Sequence, residues 1–143
     1  MEIGRIGPDK KQVMNAIRNA EAGTSGEIRV HLSYSKKEED LLKCAEALFR
    51  KLGMQNTGLR NSVLLYLNPK LKKFSIYGDQ GIHEKVGPEF WTNLAKEVSG
   101  HIREVNLTDG IVYAVAAIGA ALKEHFPALE ENPNEISDEL TED

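Results

Sequence analysis

The segment that most constrains the fold runs from residue 27 to residue 67. Residues 27–34 alternate, with Ile28, Val30 and Leu32 on one side and Arg29, His31 and Ser33 on the other, the period of a strand with one well-buried face. Ser35 with Glu38 three positions on has the form of a capping box, and Leu41, Leu42, Ala45, Leu48, Phe49 and Leu52 then make an apolar stripe that stops before Gly53. Residues 62–67 are a nearly continuous apolar run, as in a central strand covered on both faces. Strand, helix and strand in this order form a βαβ unit, whose crossover makes the two strands parallel and the connection right-handed.

The flanking segments complete one α/β domain. Gly7-Pro8-Asp9 opens a helix in which Val13, Ile17 and Ala20 share a face, and Gly23 stops it near Ala22. Asn68-Pro69-Lys70 turns the second strand back, so that residues 72–77 pair with it antiparallel, Phe74 and Ile76 pointing inward. A third helix runs from about Pro88 through Phe90, Trp91, Leu94, Val98 and Ile102, and a fourth is capped by Thr108-Asp109 and ends at Phe126-Pro127. The expected fold is α/β with a small mixed sheet, a βαβ unit plus an antiparallel strand, and about four helices. The folded body spans 1–127. Residues 128–143 carry 7 acids and no base and form an acidic, weakly ordered tail, from which Ile136 and Leu140 could dock back.

Charge narrows the partners. The chain has 18 Lys and Arg against 22 Asp and Glu, and removing the tail's 7 acids leaves a slightly basic body. That near balance, with few aromatics, argues against nucleic acid, which needs a concentrated basic surface; Lys70, Lys72 and Lys73 read as a solvated turn. The single Cys44 excludes an intramolecular disulfide, and residues 1–5 have neither the basic region nor the apolar stretch of a signal peptide, so a cytoplasmic location is expected. The most apolar run, residues 111–122, falls short of the roughly 20 residues that span a bilayer. It reads as a buried helix, with no direct membrane insertion.

The candidate site follows from the topology. Both parallel strands begin on one rim of the sheet and the antiparallel strand finishes there, so Gly26-Glu27, Arg60-Asn61 and Gly78-Asp79 converge, and the first helix brings Glu21. Asp109 falls at the opposite rim. Gly78-Asp79-Gln80-Gly81 reads as a tight loop whose glycines free the backbone to turn carbonyls and the Asp79 carboxylate toward a small ligand. Each close pair of carboxylates costs about 4 kcal/mol at 4 Å in an effective dielectric near 20, unless a counter-charge is present. Calcium, or another divalent cation such as magnesium, suits an oxygen-only donor set. The expected ligands are Asp79, Glu27 and Glu21. Arg60 is placed to hold an anionic group of a bound molecule, or else to pair with Glu27 or Asp79. The plainer alternative leaves Glu27 solvated and Asp79 supporting the turn.

Other motifs carry less. Cys44 and Arg50 have the C-x5-R spacing of cysteine-dependent phosphatases, but the five residues between them are amphipathic helix without a phosphate cradle, so Cys44 reads as structural. The GxxG spacing at Gly78 follows a strand and carries an aspartate, unlike a nucleic-acid clamp. His31, His83, His101 and His125 are scattered singly, which gives zinc no support. His83 alone is near the acidic rim, where it reads as an exposed loop residue or a general acid.

The order of several motifs resembles the TPM domain family, also called the TPM phosphatase family, and in particular its short bacterial cytoplasmic branch. They are Ala20-Glu21-Ala22-Gly23-Thr24-Ser25-Gly26-Glu27-Ile28, Thr57 with Arg60-Asn61-Ser62-Val63-Leu64-Leu65-Tyr66-Leu67, and Ile76-Tyr77-Gly78-Asp79-Gln80-Gly81-Ile82. Trp91, Asp109-Gly110-Ile111, Phe126-Pro127 and Asn134-Glu135-Ile136 continue the series. The resemblance implies a three-layer α/β/α sandwich, divalent-cation binding with calcium the usual ion, and, for thylakoid relatives, an acid phosphatase activity on small phosphoesters. Many members carry an Asp-Asp-Ala-Gly stretch before the first helix and a membrane anchor. Here Ile6-Gly7-Pro8-Asp9 stands in that place, and Asp79 stands where others have an aromatic. The expectation is therefore a calcium-binding, non-catalytic binding or assembly module, with a metal-dependent acid phosphatase as the alternative. A membrane-associated protein partner, docked by the acidic tail or by the first helix, is the third expectation.

Overall fold

The computed structural model describes residues 7–128 and 140–143. In chain order the elements are α1 (Lys10–Glu21), β1 (Glu27–Leu32), α2 (Leu41–Lys51), β2 (Ser62–Asn68), β3 (Lys73–Gly78), α3 (Gln80–Val86), α4 (Pro88–Glu104), α5 (Leu107–His125) and β4 (Leu140–Glu142). The strands form one mixed sheet in the order β3-β2-β1-β4. β1 and β2 are parallel, with Glu27 opposite Ser62 and Leu32 opposite Leu67. β3 runs antiparallel to β2, from Asn68 opposite Lys73 to Val63 opposite Gly78. The βαβ unit and its antiparallel neighbour are as the alternation and the Asn68-Pro69 turn require.

Helices cover both faces, giving the three layers. Ile28, Val30 and Leu32 of β1 and Val63, Leu65 and Leu67 of β2 face α1, α4 and α5, whose Ile17, Val98 and Ile118 complete the larger core. On the other face α2 lays Leu41, Ala45 and Phe49 on Leu64 and Tyr66. Each such side chain withdrawn from water contributes about 1.5–3 kcal/mol.

Several expectations are corrected. Among the described residues there are five helices, because Gln80–Val86 forms α3. α2 begins at Leu41 with Asp40 as its cap, accepting from the Leu42 and Lys43 N–H groups, so Ser35 and Glu38 form no capping box. The Glu38 carboxylate instead accepts from Ser33 Oγ, Asn68 Nδ2 and the Tyr66 hydroxyl. Asn106, two residues before the expected cap, caps α5 by accepting from Asp109 N–H. β1 is buried on both faces, since Arg29, His31 and Ser33 are as enclosed as their apolar neighbours. Residues 140–142, within the stretch expected to lack order, pair with β1 in parallel as β4, with Leu140 opposite Val30. Leu140 packs on the larger core; Ile136 lies outside the described residues.

Candidate functional site

The expected rim exists, and the segments forming it are tied down. Thr24 Oγ1 lies against the carbonyls of Leu122 and Phe126 at the end of α5 and accepts from Gly26 N–H at 3.0 Å. Ser25 N–H donates to the Phe126 carbonyl, and Asn61 Nδ2 donates to Ser25 Oγ at 3.2 Å. The turn that launches β1 is therefore fixed to α5 on one side and to the start of β2 on the other.

Glu21 ends α1 and is buried. Its Oε2 accepts from Ile28 N–H at 2.7 Å. Among the described residues β4 pairs with β1 only from Val30 onward, and at Ile28 N–H the carboxylate takes the place of a strand carbonyl.

Asp79 lies on the other side of the sheet order, just past β3, and is 2% exposed. Its N–H donates to the Ser62 carbonyl at 2.9 Å, and its Oδ1 accepts from Gln80 N–H at 2.8 Å, capping α3. Arg60 grips the carboxylate with both ends of its fork, Nε to Oδ2 and Nη2 to Oδ1, each at 2.7 Å. This bidentate geometry holds the guanidinium proton more tightly than usual. Arg60 adopts φ 54°, a left-handed conformation that costs a non-glycine residue energy. Of the two roles open to Arg60 in the sequence, the structure supplies the ion pair, with Asp79 as partner.

Glu27 stands opposite Ser62 at the start of the parallel pair and, like it, belongs to the sheet face that carries α2. Ser62 therefore lies between Glu27 and Asp79 in the sheet, about 4.8 Å of strand spacing from each. Ser62 Oγ is a buried hydroxyl without a hydrogen-bond partner among the described residues; so is Thr57 Oγ1, three residues before Arg60, whose N–H donates to the Thr57 carbonyl. Glu21 is bonded on the far side of β1, one residue along from Glu27, so β1 and β2 separate it from Asp79. Among the described residues, no group of three or more His, Cys, Asp and Glu side chains is gathered to hold a metal ion. The oxygen-rich donor set at Glu27, Ser62 and Asp79 suits a hard cation chemically, while the positive charge now facing Asp79 is the Arg60 guanidinium.

The glycine motif has a different cause from the one expected. Gly78 closes β3, and Gly81 lies in the first turn of α3, so the segment is strand end, cap and helix rather than an open loop. Neither glycine has positive φ; those that do are Gly53 and Gly87. A Cβ on Gly78 would come within 2.4 Å of the Trp91 ring, and one on Gly81 within 2.1 Å of the Leu59 carbonyl oxygen. Both glycines serve close approach. His83 lies in α3 rather than in a loop, exposed, with its Nδ1 accepting from Trp91 Nε1–H at 3.0 Å.

A second polar cluster, at the opposite rim, escaped the sequence reading. Glu38 gathers Ser33, Tyr66 and Asn68, and His31 stacks on Tyr66 at 5.3 Å with its Nδ1 2.7 Å from Thr141 Oγ1. Burial opposes the Glu38 charge, yet hydrogen bonds from Tyr66, Asn68 and Ser33 outweigh it and hold the carboxyl below its usual range. Burial, reinforced by the Glu38 hydrogen bond, pushes the Tyr66 hydroxyl well up. Burial and then the charge of Glu38 push the Cys44 thiol up, in keeping with an unreactive structural cysteine. The visible signal was polar residues at strand positions 31, 33, 66 and 68, where a covered sheet demands a partner for each. Asp109 falls at the far rim, as expected, 2.7 Å from His101 Nδ1. No described helix is long and apolar enough to cross a membrane.

Comparisons agree with this architecture. The NMR structure of the BA42 protein from the psychrophilic bacterium Bizionia argentinensis superposes with a TM-score of 0.86, at 33% identity over 99% of this chain and 99% of that one. The N-terminal domain of a P. gingivalis protein gives a TM-score of 0.70 at 21% identity, covering 90% of this chain and 85% of that one. The N-terminal domain of cg2496 from Corynebacterium glutamicum gives 0.64 at 14%, covering 92% and 84%. At those lower identities the likeness concerns the fold alone. No curated protein matches the chain. The family model of the TPM domain matches residues 6–121, most of the sequence. This chain belongs to the TPM domain family.

Proposed function

We propose that this TPM domain is a binding module and that its rim at Glu27, Ser62 and Asp79 takes a divalent cation, calcium or magnesium, in exchange for the Arg60 guanidinium. The observation that carries this is the pairing of a buried carboxylate with a half-exposed arginine. Asp79 is enclosed, whereas the Arg60 side chain is 42% exposed and, among the described residues, is held by that ion pair in a strained backbone conformation. Release of the arginine leaves a desolvated carboxylate beside the Ser62 hydroxyl, which has no hydrogen-bond partner among the described residues, and a hard cation meets the charge and oxygen preference of that set. Glu27 supplies the second carboxylate. Glu21, already bonded to Ile28 N–H, acts by fixing the start of β1. As a binding module the ion contributes charge and rigidity, drawing α3 toward the strand ends.

The acid phosphatase alternative requires Arg60 to hold a phosphoryl group. Its Nε and Nη2 engage Asp79, so a phosphoryl group, like the cation, requires that pair to open. Calcium titration of the 15N-labelled protein, repeated with magnesium, tests the proposal. Saturable amide shifts centred on residues 26–27 and 78–81, lost in Asp79→Ala, are expected; shifts absent from those residues would refute it. Glu21→Gln separates a ligand from a positioning residue, because only a ligand's loss weakens the ion when β1 stays intact. Hydrolysis of p-nitrophenyl phosphate that is abolished by chelation and by Asp79→Ala would establish the enzyme instead.

A further inference from the structure

β3 is an edge strand, and its outer side is open. Asp79 N–H donates to the Ser62 carbonyl, which makes that opposed pair a hydrogen-bonded one. Antiparallel pairs alternate, so Lys73, Ser75 and Tyr77 direct their backbone groups to β2, and Phe74, Ile76 and Gly78 direct theirs outward. Among the described residues nothing takes those outward N–H and C=O groups. Proteins normally blunt such an edge with a bulge, a proline, edge lysines or inward charges, and β3 has one of these, Lys73, at its first position. Residues 74–78 have none of these, and their register to β2 is unbroken.

The edge lines an open, shallow groove of about 840 Å³, together with Leu41 and Leu42 of α2 and Trp91, Ala95 and Lys96 of α4. Leu42 is 55% exposed, an apolar side chain on the wall with little cover. A second groove of about 500 Å³ shares Lys72, Lys73, Phe74 and Ser99 and extends the first past Arg103. The combined channel therefore has a basic stretch at Lys72, Lys73 and Arg103, Lys96 on its wall, and an aromatic end where Trp91 lies against Gly78. Glu39 and Asp40 also line it, but the Asp40 carboxylate is engaged with two N–H groups of α2, so cations prevail.

The geometry points to a docking site for an extended acidic peptide segment of a partner protein, which adds a fifth strand to the sheet at Phe74, Ile76 and Gly78. Backbone hydrogen bonds supply the attachment, apolar side chains of the guest meet Leu42 and Trp91, and its acids meet the three lysines. Pairing of this edge with a second copy of the chain is the competing occupant that the test below distinguishes. This site is independent of the cation rim.

The chain's single tryptophan is Trp91, so its fluorescence reports directly on the groove. The probe is a capped hexapeptide of alternating valine and glutamate, titrated into the full chain with Trp91 emission and 15N amide shifts followed together. Saturable changes at Trp91 and at the amides of Phe74, Ile76 and Gly78, with slowed hydrogen exchange at those amides, are expected. The surface variant Lys72→Glu/Lys96→Glu should weaken binding about tenfold. A peptide N-methylated at alternate positions should not bind. The proposal is overturned by absent or non-saturable shifts at the three amides, or by equal binding of the N-methylated peptide. It is equally overturned by concentration-dependent shifts of the protein alone that identify a second copy on the edge.

Discussion

Replacing Gly81 by alanine decides whether close approach or helix propensity governs the segment that carries Asp79. Gly81 lies in the first turn of α3, and alanine there would gain at most about 1 kcal/mol of intrinsic helix stability. Against this, the new methyl would stand 2.1 Å from the Leu59 carbonyl oxygen and 2.6 Å from that of Arg60, both backbone atoms. Ordinary contact needs about 3.4 Å or more, so α3 must withdraw by roughly 1 Å from the segment before β2. Overpacking of this kind costs about 1–3 kcal/mol. The withdrawal also strains the 2.8 Å hydrogen bond from Gly81 N–H to the Arg60 carbonyl, worth about 1 kcal/mol. The net expectation is a loss of about 1–3 kcal/mol, read in a thermal melt followed by circular dichroism as a fall of about 3–9 °C in Tm. Gly100 is the control. It lies within α4 with nothing inside 4 Å of a built methyl, so Gly100→Ala should raise Tm by about 3 °C. A Gly81→Ala protein as stable as the parent, or more so, would refute the close-approach account.

Other outcomes follow from the same contacts. Glu21→Ala removes the acceptor of a buried N–H and should cost about 2 kcal/mol, with faster hydrogen exchange at Ile28; Glu21→Gln, which keeps an acceptor, should cost less in the same denaturant titration. Because the folded protein depresses the Glu38 carboxyl, its contribution is complete above the unfolded glutamate range, about pH 4.3, and is lost as pH falls below it. Glu38→Gln should therefore flatten the acid limb of the stability profile measured by urea unfolding. Cys44, whose thiol is pushed up by burial, should react with a disulfide reagent at pH 8 more slowly than free cysteine, and guanidinium unfolding should remove the difference.

The elements legible in the sequence were those written in local periodicity. Alternation at Ile28, Val30 and Leu32, the stripe from Leu41 to Leu52, and the Asn68-Pro69 turn determined β1, α2, β2 and β3 and their directions. Topology then brought Glu27, Arg60 and Asp79 to one rim. The misreadings share a cause, since one local pattern serves two physical ends. Ser35 and Glu38 match a capping box, but Tyr66 and Asn68, distant in sequence, draw Glu38 onto the sheet. Gly78 and Gly81 match a flexible loop, yet Trp91 and the Leu59 carbonyl explain them, and both neighbours are tertiary. β4 is three residues long in an acidic stretch, and only its pairing with β1 defines it. The division between Glu21 and Asp79 required the strand order, which places β1 and β2 between them.

The central claim is that Arg60 occupies the position of a cation at Asp79, and the most direct test is calorimetric calcium titration of the parent beside Arg60→Met, which keeps an unbranched side chain but carries no charge. If the guanidinium competes with the ion, calcium binds Arg60→Met more tightly than the parent, and Asp79→Asn abolishes binding in both backgrounds. Equal or weaker binding to Arg60→Met, or binding that survives Asp79→Asn, would contradict the account.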